Sequence, residues 1–115
     1  MTPAAALRIG LAAVVFGAWS APVFAQSTET GFASMHNQAR VAGKLCMTDH
    51  WHYGSGSGRT KALAQRDAIG SWQSFTDFEY GSAWARFSNA VAKKVSCSGS
   101  GGSFSCQVEA RPCRR

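Results

Sequence analysis

The chain has 115 residues, and its 12 Lys and Arg outnumber 6 Asp and Glu, for a net charge of +6. That length leaves room for one small domain and excludes the large parallel sheets that carry nucleotide and dinucleotide fingerprints. The basic residues are dispersed, with small clusters at Lys93-Lys94 and from Arg111 to Arg115. No run reaches the about five to eight residues of a nucleic-acid patch, so a specific nucleic-acid partner is not expected.

The N-terminus reads as a targeting segment. Arg8 supplies a positive charge, and Ile9 to Phe16 with Ala18 and Trp19 form an apolar stretch. Val23-Phe24-Ala25 matches a small-x-small cleavage pattern, so residues 1–25 are expected to be a cleavable signal peptide, with Gln26 as the mature start. The apolar run falls short of the roughly 20 residues that span a bilayer, and Pro22 interrupts its end. The product is then a periplasmic or secreted protein, not an integral membrane protein after cleavage. Loss of Arg8 leaves 11 basic and 6 acidic residues, a net +5 that suits attraction to anionic surfaces.

Residues 26–40 are polar and small-residue rich and read as a flexible leader, with Met35 to Arg40 either one helical turn or part of the first strand. A single domain is expected over 41–115. In 41–53, "VAGKLCMTDHWHY", apolar residues alternate with Lys44, Cys46, Thr48, His50 and His52, which predicts a half-buried strand with the histidines on its polar face. Asp49 breaks the alternation and marks a bulge or edge. The following "GSGSG" reads as a flexible connector.

Residues 59–79 predict a helix. Ala62, Ala68, Ile69, Trp72 and Phe75 form its apolar side, Gly70 offers a close approach to the sheet, and Gly81 stops it. Residues 83–92 predict a short helix, with a strand as the alternative. In 93–111, Gly101-Gly102 predicts a type I′ hairpin. That register sets Cys97 opposite Cys106 at a narrow site and puts Val95, Phe104, Val108 and Ala110 on their face. Trp51, Trp72, Trp84, Phe75, Phe87 and Phe104 are the expected core.

Four cysteines in an exported chain predict two disulfides. No Cys-x2-Cys pair is present, which disfavours a zinc knuckle. Parity favours Cys97–Cys106 with Cys46–Cys113, the second on the outer sheet face or edge. The connectivities 46–97 with 106–113 and 46–106 with 97–113 stay open. The fold class is therefore α+β: a small three-stranded antiparallel sheet in the order strand, helix, short helix, hairpin, with helices on one face.

Chemistry-bearing residues are few. Gly56, Gly58, Arg59 and Lys61 form a candidate anion site at a helix start, although "GSGSGRT" lacks the Lys-Ser/Thr end of a phosphate-binding loop. His50 and His52 project from one strand face and are the metal-ligand candidates. They need a third ligand, for which His36 and Asp49 are nearby in sequence. Asp67, Asp77 and Glu79 are available acids, but no carboxylate pair or nucleophile motif stands out. No catalytic residue, no metal and no cofactor is expected.

Ile69, Trp72, Tyr80, Gly81, Trp84, Cys97, Cys106, Pro112 and Cys113 follow a pattern of Ile-x-x-Trp, an aromatic-Gly pair, Trp, paired cysteines and a Pro-Cys end. In these residues the last half of the chain resembles small exported domains of Gram-negative bacteria that have no assigned activity. The resemblance implies export and a small α+β fold. The expected function is a non-catalytic exported binding module for an envelope component or another protein. The alternatives are a small metal-dependent or hydrolytic enzyme using His50 and His52, and a protein inhibitor.

Overall fold

The computed structural model describes residues 29–115, with Gly10, Ala12, Ala13 and Gly17 isolated before them. Apart from those four, the expected signal peptide and its cleavage site lie outside the described residues. The fold is α+β, with two small antiparallel sheets, one helix, short 3-10 turns and two disulfides.

A 3-10 turn, Ala33–Met35, leads into the hairpin of β1 (Gln38–Val41) and β2 (Lys44–Met47). Thus residues 35–40, expected as a turn or as strand, contain both. Ala42 and Gly43 make the hairpin turn, with φ of 49° and 77°. The single strand expected over 41–53 is therefore divided. The chain folds back at 42–43, bends at 48–49, and re-enters a different sheet as β3 (His52–Gly58). The bend resets the parity: His52 is buried, whereas Trp51 is 37% exposed.

The glycine run is a strand, not a loose connector. The reason lies in α1 (Lys61–Tyr80), whose buried stripe is Ala64, Ala68, Trp72, Thr76 and Tyr80. A Cβ on Gly54 or Gly56 would overlap the α1 backbone at Ala68, so glycine on the strand and alanine on the helix let the two backbones touch. Gly70, expected to serve that approach, faces open space. The Thr60 hydroxyl caps α1 by accepting from the Leu63 N–H at 3.1 Å. Gly81, at φ 99°, ends it and donates its N–H to the Asp77 carbonyl at 2.9 Å.

Residues 82–90 form two 3-10 turns, Ser82–Trp84 and Phe87–Asn89, in place of the expected short helix. β4 (Val91–Ser100) and β5 (Ser103–Arg111) follow as the predicted hairpin, and β6 (Cys113–Arg114) ends the chain. Gly101 and Gly102 both have positive φ, and Cys97 pairs with Cys106 as the turn requires. One sheet runs β3-β5-β4 and the other β1-β2-β6.

The core between α1 and the first sheet contains Ala64, Ala68, Trp72, Phe87, Cys106, Val108 and Ala110. A second cluster joins Ala33, Met47, Tyr80 and Trp84. Phe75 is not part of the buried core and is 48% exposed. The Trp72 indole N–H reaches the His52 carbonyl at 3.0 Å, fastening the helix to the first residue of β3. Cys46 and Cys113 are strand partners between β2 and β6 and are fully buried, not on an outer face. No described helix is long and apolar enough to cross a membrane.

Candidate metal centre

The β1–β2 hairpin brings together two residues that are distant in sequence. Gln38 pairs with Met47, so the residues just before β1 and just after β2 share one end. The Thr48 N–H donates to the Asn37 carbonyl at 3.0 Å, and the Asn37 amide donates to Asp49 at 3.2 Å. His36 and His50 therefore meet, with ring centroids 4.4 Å apart. Arg111 of β5 holds the returning segment, donating to the Met47 carbonyl at 3.2 Å and the Thr48 carbonyl at 3.0 Å. Its guanidinium also lies over the Trp51 ring at 5.6 Å. His52 enters from β3, paired with Ala110, and Glu79 from the last turn of α1.

Glu79 is the hub. Its Oε1 lies 3.8 Å from His36 Nε2 and 3.8 Å from His50 Nε2, and its Oε2 lies 3.1 Å from His52 Nε2. One ligand atom from each of His36, His50 and Glu79 falls within 4.8 Å of the others. Those three side chains are 29%, 37% and 24% exposed, so the cluster opens to solvent on one side. The Tyr80 ring forms the floor, stacked on His52 at 4.8 Å and edge-on to His36 at 5.3 Å. Burial, with the Glu79 charge adding to it, pushes the Tyr80 hydroxyl above the usual tyrosine range, so it stays protonated.

Glu79 is locally misplaced for stability. A carboxylate at a helix C-terminus adds to the negative end of the macrodipole, and the last turn of α1 carries no basic residue. Its carboxylate faces the imidazoles of His36, His50 and His52.

His52 is fully buried, with its Nδ1 2.8 Å from the Thr76 hydroxyl. That hydroxyl donates its single proton to the Trp72 carbonyl at 2.8 Å. It therefore accepts from His52 Nδ1–H, and the neutral ring keeps its lone pair on Nε2. Burial lowers the His52 pKa from 6.5 to about 4, outweighing the opposite pull of Glu79, while His50 and His36 lower it further. His52 is thus neutral at pH 7. Its Nε2 has no hydrogen-bond partner among the described residues, because the 3.1 Å contact with Glu79 is not a hydrogen bond.

Of the sequence's metal-ligand candidates, His50 meets His36 and Glu79 with ligand atoms within 4.8 Å of one another, whereas His52 lies 3.1 Å from Glu79 but outside that set. Asp49 bonds to Asn37 and stays outside the cluster. Glu79 carried no signal beyond being an available acid; its distance from the histidines along the chain matches no ligand motif. The anion-site candidates do not form a loop. Gly56 and Gly58 lie in β3 against α1, and Arg59 and Lys61 are exposed at the helix start. Cys97–Cys106 and Cys46–Cys113 are both formed. No protein-family model matches the chain, and no curated protein or solved structure shows significant similarity to it.

Proposed function

We propose that this protein is an exported binding module whose ligand is a divalent first-row transition-metal ion, held by His36, His50 and Glu79. The observation that carries the reading is the convergence of their ligand atoms within 4.8 Å on a solvent-reachable face. Imidazole with carboxylate is the donor set of Zn²⁺, Cu²⁺, Ni²⁺ and Co²⁺, whereas Mg²⁺ and Ca²⁺ favour all-oxygen sites. Both cysteine pairs are oxidised, which leaves no thiolate to compete as a ligand and accords with export to an oxidising compartment. The signal-like N-terminus supports the same compartment.

The test is calorimetric titration of the oxidised chain from Gln26 onward with Zn²⁺, with metal content measured after dialysis. One ion per chain is expected, with binding much weakened in His36→Gln and His50→Gln. Absence of stoichiometric binding by a folded sample overturns the reading.

A further inference from the structure

The buried side of the cluster holds a feature that three ligands do not use. His52 Nε2 is fully buried, has no hydrogen-bond partner among the described residues and lies 3.1 Å from Glu79 Oε2. Two electron-rich atoms at that separation need a positive species beside them. A proton shared between the two would lie near the line joining them, and the contact lacks that geometry. A metal ion bonded to both lies off the line, because each donor's lone pair points at the ion and not at the other donor.

The distances agree with this. For bonds of about 2.0–2.1 Å, the ligand atoms of a tetrahedral ion stand about 3.3–3.4 Å apart. Glu79 Oε1 stands 3.8 Å from His36 and from His50, and its Oε2 stands 3.1 Å from His52, near that separation; His52 lies outside the set of ligand atoms within 4.8 Å of one another, so an ion has to draw the four together. The other face of the His52 ring is already fitted for a ligand. Its Nδ1–H is held by Thr76, whose hydroxyl is in turn held by the Trp72 carbonyl. A metal-bound imidazole needs that outer hydrogen bond to fix its tautomer and orientation.

We propose that His52 is the fourth metal ligand, through Nε2, so that His36, His50, His52 and Glu79 enclose one ion in a four-coordinate site. This rests on the metal-binding reading above and adds its coordination. A site filled by four protein ligands has no position for an activated water, so the ion is held and not used for hydrolysis. A three-ligand hydrolytic centre would instead leave His52 outside the coordination shell and keep a position for water.

Zn²⁺ is the probe, and X-ray absorption of the zinc-loaded wild-type chain decides, because it counts bound imidazoles without any substitution. Three imidazoles and one carboxylate oxygen are expected, falling to two imidazoles in His52→Gln. Ring ¹⁵N spectra of the metal-free protein give a second readout that needs no variant: His52 should carry its proton on Nδ1, and its Nε2 signal should move on zinc addition. Two imidazoles plus a water in the wild type, or an unmoved Nε2, overturn the fourth ligand while leaving the metal site standing. A folded wild type that takes up no zinc overturns both.

Discussion

Cys46 and Cys113 are bonded across β2 and β6, and this single bridge joins the two halves of the histidine cluster. On one side, β2 runs on to His50 four residues after Cys46. On the other, Cys113 follows the end of β5, whose Ala110 pairs with His52. The bridge closes a sequence separation of 67 residues, against 9 for Cys97–Cys106. Chain entropy then assigns about 4 kcal/mol to the first and about 3 kcal/mol to the second. Cys46→Ser with Cys113→Ser should lower both the urea midpoint and the zinc affinity. Cys97→Ser with Cys106→Ser should lower the midpoint less and leave the affinity of the folded protein close to wild type. Equal zinc affinities in the two double variants would contradict the linkage.

Thr76 orients His52 without facing the solvent side of the cluster. Thr76→Val keeps the shape and removes the acceptor, leaving a buried Nδ1–H unpaired. Loss of such an outer-shell partner lowers zinc affinity by about 10–100-fold. Thr76→Ser restores the oxygen and should recover most of the binding. Titrations of the three proteins at one pH check this, with circular dichroism to show that the helix is retained.

Two glycines should respond in opposite directions to the same change. Gly56→Ala forces a methyl into the α1 backbone at Ala68 and Asp67 and should cost about 3 kcal/mol or more, through overpacking. Gly70→Ala adds a methyl in open space within the helix and should gain about 1 kcal/mol. Chemical denaturation of both variants gives the signs directly. A neutral Gly56→Ala would refute the backbone-to-backbone contact.

The His52 burial has a pH consequence in metal-free protein. Its pKa falls from 6.5 in the unfolded chain to about 4 in the fold, so between those values the unfolded state binds the extra proton. Stability from this residue is complete above pH 6.5 and is lost as the pH falls through about 4, for a total on the order of 3 kcal/mol. Urea midpoints taken in chelator should fall between about pH 7 and pH 5, before most carboxylates titrate. A flat midpoint over that interval would show that His52 is not desolvated as described.

Local signals in the chain were enough for the β4–β5 hairpin. Its turn needs positive φ at two adjacent residues, Gly101 and Gly102, and period-2 alternation then sets Cys97 against Cys106. Local signals were also enough for the existence of α1 and its stop at Gly81, though not for its cap at Thr60, and for the α+β class. They failed where a long-range contact overrides local preference. "GSGSG" has the composition of a linker and becomes a strand because a helix backbone lies on it. The helix buries Thr76 and Tyr80 and leaves Phe75 half exposed, because the side that carries Ala64, Ala68 and Trp72 is the one that packs onto Gly54 and Gly56.

The metal cluster shows the same division. Residue types alone made His50 and His52 candidate ligands, since imidazoles two apart on a strand share a side, and left His36 and Asp49 as the nearby choices for a third. The bend at 48–49 removed that simple geometry and sent His52 into the core. What joins His36, His50, His52 and Glu79 is the meeting of a hairpin end, a strand start and a helix end from three separate elements. Only tertiary packing decides such a meeting, because each residue's position depends on partners as remote as Arg111 and Cys113, and no local spacing records it.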